Sequence, residues 1–331
     1  MIQLFFPTYI KRQSLFLACL ILLSLILGAC GEVVSPSTST PSPSTSTPTA
    51  STALPPARYS ATIQRNISYG PLAAETLNLC LPKDAAGPRP AVILIHGGAC
   101  IKGDASMHDT MCQRLAEQGF VAATINYRLA QSSDASTRWP AQLVDTQLAV
   151  RWLRSQATRL NLDPQRLCSW GTSAGGHLAV FVGNLKTIHP GDQAHLLADQ
   201  SPTVSCVVDN FGPVDLVKLA ESPQGKSSRG QEVMQTLLGV SYQQNAVIYR
   251  DASPIFVVSN QSVPTLIVQG TRDTVVPPDQ SAELQQALQQ HHVAVQYISY
   301  DGGHGFQGLT KQQKDAIFAQ EINYLIAQQK P

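Results

Sequence analysis

From about residue 59 onward, short apolar runs alternate with amphipathic stretches. Pro90–His96 (Pro-Ala-Val-Ile-Leu-Ile-His) is an apolar run of strand length flanked by turn residues. Val121–Tyr127, Arg166–Gly171, Val204–Asn210, Thr265–Gly270 and Val295–Tyr300 read as further strands, and Ile63–Tyr69 with Thr76–Leu81 as an opening hairpin. Largely apolar strands are buried on both faces, which is the mark of a parallel sheet covered by helices. The intervening segments carry helical spacing. Trp139–Leu160 places Val144, Leu148 and Trp152 at i, i+4 and i+8 and has Pro140 near its first turn, and Glu283–Gln290 and Lys311–Ala327 are similar. Residues 215–258 break the rhythm and are expected to form a small cap over one end of the sheet. No internal repeat is present. The pattern predicts one α/β domain over residues 59–331, with a mostly parallel sheet, right-handed crossovers and helices on both faces.

The first 58 residues follow different rules. Lys11-Arg12 precedes an apolar run from Leu15 to Leu27 that only Ser24 interrupts, ending in Leu27-Gly28-Ala29-Cys30. A basic start, an apolar stretch and small residues before a cleavage point read as a secretory signal over residues 1–29. The run falls short of the roughly 18–20 apolar residues of a stable membrane span. Its last four residues resemble the lipobox of bacterial lipoproteins, which implies lipidation of Cys30 and an extracytoplasmic domain anchored to a cell-envelope membrane. An ordinary signal peptide or an uncleaved anchor, with a chance cysteine, is the competing reading. Residues 35–56 are almost entirely Ser, Thr, Pro and Ala, so they have nothing to bury and favour an extended, solvated form. At about 3.1 Å per residue such a stretch reaches roughly 70 Å. Residues 30–58 are therefore expected to be a disordered tether.

Composition narrows the function. With 43% hydrophobic and 14% charged residues the chain can bury a sizeable core. Its formal net charge of +1 gives no electrostatic footprint for nucleic acid. The 7 cysteines include Cys19 in the signal and Cys30, leaving Cys80, Cys100, Cys112, Cys168 and Cys206. No zinc spacing occurs among them, and no metal is expected. Cys168 and Cys206 sit in strand-like runs and read as small buried hydrophobes. A disulfide among Cys80, Cys100 and Cys112 is allowed, but its pairing stays open.

The strand Arg166–Gly171 runs into Gly171-Thr172-Ser173-Ala174-Gly175-Gly176-His177, a G-x-S-x-G between a strand and a helix-compatible run. A serine in so tight a turn needs neighbours without side chains two residues away on either side. The strand Pro90–His96 ends in His96-Gly97-Gly98-Ala99, where small residues let backbone N–H groups approach a carbonyl oxygen that gains charge. Asp273 follows the strand Thr265–Gly270, and His304, in Gly303-His304-Gly305-Phe306, follows Val295–Tyr300. Sites on open parallel sheets lie at the carboxyl ends of strands. Four such ends therefore converge, with Ser173, Asp273 and His304 in the order Ser…Asp…His. These three are the candidate catalytic residues, and the N–H groups of Gly98, Ala99 and Ala174 the candidate oxyanion hole. Asp209 and Asp301 also follow strands and are alternative acids. His96, His177, Arg128 and Asp145 read as structural, and His291-His292 as helix-end residues.

With these segments assembled, residues 75–328 resemble the α/β-hydrolase superfamily. The nearest branch is the bacterial feruloyl-esterase-like and carbohydrate acetyl esterase domains, close to the hormone-sensitive-lipase-like carboxylesterases. The matching segments are His96-Gly97-Gly98 with Gly103-Asp104, Tyr127-Arg128-Leu129, Trp139-Pro140-Ala141-Gln142 with Asp145, Trp170 to His177, Phe211 to Leu216, Asp273 to Pro277 and Gly303 to Phe306. The resemblance implies an α/β-hydrolase fold with a cap insertion. It also implies a cofactor-free serine carboxylic ester hydrolase acting on short-acyl or carbohydrate-linked acetyl and feruloyl esters, through an acyl-enzyme on Ser173. Ala99 and Cys100 stand where the family usually has a third Gly and an aromatic, a change that bears on the acyl pocket. An amidase of arylformamidase type and a surface binding module that has lost catalysis are the alternatives.

Overall fold

The structure is a computed structural model that describes residues 54–328. The expected signal segment, Cys30 and the tether up to residue 53 lie outside the described residues. Among the described residues eight strands form one sheet: β1 (Ala61–Ser68), β2 (Thr76–Pro82), β3 (Arg89–Ile95), β4 (Val121–Ile125), β5 (Leu162–Thr172), β6 (Cys206–Asn210), β7 (Thr265–Gly270) and β8 (Val295–Tyr300). Their order is β1-β2-β4-β3-β5-β6-β7-β8. β1 pairs antiparallel with β2 and β2 antiparallel with β4, while every other pairing is parallel.

Helices fill the crossovers. In chain order they are α1 (Asp109–Glu117), α2 (Ala141–Ser155), α3 (Ala157–Leu160), α4 (Ala174–Asn184), α5 (Leu216–Glu221), α6 (Pro223–Lys226), α7 (Ser228–Leu238), α8 (Ala246–Asp251), α9 (Pro278–Gln290) and α10 (Lys311–Gln328). Side chains alternate across each strand, so one strand feeds two cores. Ala91, Ile93 and Ile95 of β3 join Leu143 and Leu148 of α2, Leu178 of α4 and Leu284 of α9. Val92 and Leu94 point the other way and join Leu115 of α1 and Ile322 and Leu325 of α10. Burial on both faces explains why these strands are apolar throughout.

Four expectations need correction or refinement. Cys168 and Cys206 are not free buried hydrophobes: they form a disulfide with Cα atoms 4.6 Å apart. They are register partners on the parallel neighbours β5 and β6, an adjacency that a separation of 38 residues conceals. The open question among the other three resolves as a Cys80–Cys112 disulfide linking β2 to α1, with Cys100 buried as a free thiol. The expected helix over 139–160 starts after Pro140 and breaks at Gln156, whose backbone (φ −91°, ψ 7°) leaves the helical region. The end of the expected tether also meets the domain: Leu54 packs against the second core, and Gln118 Nε2 donates to the carbonyls of Pro55 (3.2 Å) and Pro56 (3.0 Å).

Residues 215–258 are the expected cap, and they are mostly helical. Each of the four short helices α5–α8 opens on a side chain that accepts one of its first backbone N–H groups: Asp215, Ser222, Ser227 and Asn245. N-caps of this kind satisfy donors that a short helix cannot satisfy itself.

Candidate active site

Ser173 sits between β5 and α4 with φ 55° and ψ −121°, a left-handed backbone that non-glycine residues adopt at a cost. The neighbouring glycines exist for space. A Cβ on Gly171 would lie 2.0 Å from the carbonyl oxygen of Gly175, and one on Gly175 would lie 2.0 Å from that of Ile95. The turn is fixed from below by the Ser173 N–H, which donates to the Asn210 carbonyl at 2.8 Å.

Three strand ends then meet. The Ser173 hydroxyl donates to His304 Nε2 (2.9 Å), and His304 Nδ1 donates to Asp273 Oδ2 (2.7 Å). A carboxylate only accepts, so the Nδ1 proton is assigned by that partner and Nε2 is left bare toward the serine. The Asp273 side chain is 0% exposed and that of His304 20%. Asp273 is nonetheless well satisfied: Oδ1 accepts from the N–H groups of Val275 (2.8 Å) and Val276 (2.9 Å), and Gln269 Nε2 adds 3.2 Å to Oδ2. Phe211 meets the imidazole edge-on at 4.9 Å between ring centres and limits its tilt.

Neither alternative acid reaches His304. Asp301 lies on the surface, its side chain 81% exposed and paired with Arg272. Asp209 is buried under the backbone of Gly212, whose N–H donates to Oδ1 at 3.0 Å, and burial pushes its carboxyl up to about 7.

Opposite the serine lies the loop that follows β3. Gly98 (φ 111°), Ala99 (φ 57°) and Cys100 (φ 60°) are all left-handed. A Cβ on Gly98 would lie 2.0 Å from the Lys102 carbonyl oxygen, so this position requires glycine. The N–H groups of Gly98, Ala99 and Ala174 have no acceptor among the described residues, and all three residues line the same cavity as Ser173 and His304. The loop is held by its ends. Ile101 and Lys102 N–H groups donate to the Gly98 carbonyl, and Ala130 N–H to that of Cys100. His96 stacks on Tyr127 at 4.3 Å, and the Tyr127 hydroxyl donates to the His96 carbonyl at 2.8 Å. His96 therefore anchors the loop. Arg128 is structural too, forking onto Asp145 and reaching Asp192.

Two residues escaped the sequence reading. His108, ahead of α1, lies edge-on to Trp170 (4.8 Å) and within 3.2 Å of Thr172 Oγ1. Glu321 of α10, fully buried, accepts from Trp170 Nε1 at 2.9 Å, and burial pushes it up to about 8. Its signal was present: Ile317, Glu321 and Leu325 have the spacing of an apolar helix stripe, where a glutamate demands explanation. Burial pushes both His108 and His177 down to about 4, so neither carries charge near neutrality. Among the described residues no group of three or more His, Cys, Asp or Glu side chains has the arrangement of a metal site.

The site opens into a cavity of about 960 Å3 between the sheet, α1 and the cap, lined by Met107, Met111, Leu219, Met234, Leu237 and Phe318 among others. A hydroxyl hydrogen-bonded to a bare imidazole nitrogen, facing unengaged N–H groups, is an arrangement that can attack a carbonyl carbon and hold the resulting oxyanion.

Comparison with known proteins is consistent with this geometry. Residues 77–288 match the profile of the BD-FAE family. Esterase LipC of Mycobacterium tuberculosis is 30% identical over 247 residues, which cover 73% of this chain and 60% of that protein. A probable isoprenylcysteine alpha-carbonyl methylesterase of Arabidopsis thaliana is 25% identical over 252 residues, covering 74% of this chain and 51% of that protein. The chain thus spans half to three fifths of the length of these curated relatives. Among solved structures, a truncated carbohydrate esterase from gut microbiota superposes with a TM-score of 0.66 at 26% identity, covering 84% of this chain and 99% of that one. The fold is the α/β-hydrolase fold.

Proposed function

The chain belongs to the BD-FAE family, and from that membership we propose that it is a serine carboxylic ester hydrolase acting on short-acyl or carbohydrate-linked esters. The observation that carries the reading is the hydrogen-bonded chain Ser173–His304–Asp273, at 2.9 and 2.7 Å. Ser173 Oγ attacks the acyl carbon while its proton passes to His304 Nε2. Asp273, accepting from Nδ1, holds the ring in the required tautomer and stabilises the imidazolium. The oxyanion is received by the N–H groups of Gly98, Ala99 and Ala174. Collapse breaks the bond to the alcohol oxygen, which leaves with the proton from Nε2, and an acyl group stays on Ser173. Water then repeats the sequence and releases the acid. The carbohydrate part of the reading draws on the carbohydrate esterase among its structural relatives.

Lipidation at Cys30 and an extracytoplasmic location belong to the same proposal. The Cys80–Cys112 and Cys168–Cys206 disulfides support the location, because such bonds persist in oxidising compartments.

The test is hydrolysis by the purified protein beside its Ser173→Ala variant. Substrates are p-nitrophenyl esters from acetate to palmitate, methyl ferulate, acetylated xylan and N-formylkynurenine. Ester turnover that vanishes in the variant is expected. Turnover of the formamide alone would move the reading to an amidase, and no difference between the two proteins would remove it.

A further inference from the structure

Charge around the cavity is one-sided. Among the described residues Lys102, Arg114 and Arg229 line it, and no aspartate or glutamate does. The chain as a whole is nearly balanced, with 23 Lys and Arg against 22 Asp and Glu, so a cationic rim is not the by-product of a basic protein. Two of the three cations are partly compensated from outside the cavity. Arg114 shares Asp315 with Lys311, so two cations meet one carboxylate. Arg229 pairs with Glu232 on the surface.

Lys102 is different. Its ammonium has no ion pair and no hydrogen bond among the described residues. Its backbone is nevertheless anchored in the loop, because Lys102 N–H donates to the Gly98 carbonyl at 3.1 Å. Its stem leans over the same residue, with Cγ 3.1 Å from where a Gly98 Cβ would stand. An unpaired cation is thus mounted on the loop that carries two of the candidate oxyanion donors. The cavity of about 960 Å3 has room for far more than a short acyl group.

We propose that Lys102 is a specificity-determining residue, and that the substrate is an ester bearing an anionic group, such as a carboxylate, away from the scissile bond. The inference rests on the ester-hydrolase reading and deepens it. The Lys102 ammonium meets that group at the cavity rim, while Arg114 and Arg229 add a field of the same sign. Anionic walls would repel it, and among the described residues no carboxylate side chain lines the cavity.

The experiment uses two matched pairs of substrates with the full chain. In the first pair, 4-acetoxybenzoate and its neutral amide, 4-acetoxybenzamide, place the charge on the leaving group. In the second, mono-4-nitrophenyl adipate and 4-nitrophenyl hexanoate place it on the acyl group. Hydrolysis of the neutral members, lost in Ser173→Ala, tests the ester-hydrolase reading separately. In at least one pair the charged member should have a kcat/KM roughly three- to fivefold higher at low ionic strength, as suits one solvated ion pair. The advantage should shrink at high salt. It should disappear in Lys102→Gln and survive in Lys102→Arg, the ratio of charged to neutral member being taken within each variant. No preference in either pair, or a preference of equal size in Lys102→Gln, would overturn the assignment.

Discussion

Glu321 and the histidines at positions 108 and 177 give the molecule a pH dependence that can be worked out in sign. The Glu321 carboxyl is buried and raised from an ordinary 4.5 to about 8, so between those values the folded chain keeps a proton that the unfolded chain has lost. Stability then falls as pH rises across that window, by on the order of 1 kcal/mol per pH unit. Asp209, raised to about 7, acts in the same direction. His108 and His177, lowered from 6.5 to about 4, act oppositely, because the unfolded chain binds the extra protons and stability rises with pH between 4 and 6.5. Above pH 6.5 only the carboxyls remain. Urea midpoints should therefore decline between pH 6.5 and 8 in the wild type, and decline less in Glu321→Gln, whose amide oxygen can still accept from Trp170. Parallel curves for the two proteins would show that Glu321 does not keep its proton. The same residue marks a limit of sequence reading: its place in an apolar stripe is visible in one helix, but its partner lies 151 residues away.

At the scale of elements, the strands were largely legible and the connections less so. Thr265–Gly270 and Val295–Tyr300 have the expected bounds, because an apolar run between turn residues has one economical conformation in a covered sheet. α1 went unread: its apolar positions Met111, Cys112, Leu115 and Ala116 are few and mixed with charge. Three of the cap helices, α5, α6 and α8, are too short for periodicity, and their capping residues are the local signal. The Cys168–Cys206 bond was misread because register between β5 and β6 is a property of the assembled sheet. One disulfide ties β2 to α1, which lines the cavity, and the other ties β5, which leads into Ser173, to β6. Closing loops of 32 and 38 residues, each should stabilise by about 3–4 kcal/mol through the unfolded chain. Replacing Cys80 and Cys112 by Ala should lower the urea-derived stability by that order. A loss under ~1 kcal/mol would argue that the bond contributes little in solution.

Across the whole molecule, the sheet brings together what the chain holds far apart. Ser173 and His304 are separated by 131 positions, yet each follows a strand that ends at the same edge, and that shared edge is why their juxtaposition could be read from strand ends alone. The cavity was not readable, since its walls come from α1, the cap and α10 together. The proposed anchor sets the molecule's place in the cell. A mature N-terminal peptide beginning at Cys30 and carrying acyl chains by mass spectrometry is the expected result, and an unmodified peptide at that position would remove the lipoprotein reading. The most direct test of the central claim is to trap the acyl-enzyme. The protein is mixed with p-nitrophenyl acetate, quenched in acid within the first turnover, digested and weighed peptide by peptide. One acetyl group on the peptide containing Ser173, absent from Ser173→Ala and accompanied by a burst of p-nitrophenol, is predicted. Turnover with no burst and no acylated Ser173 would contradict the mechanism.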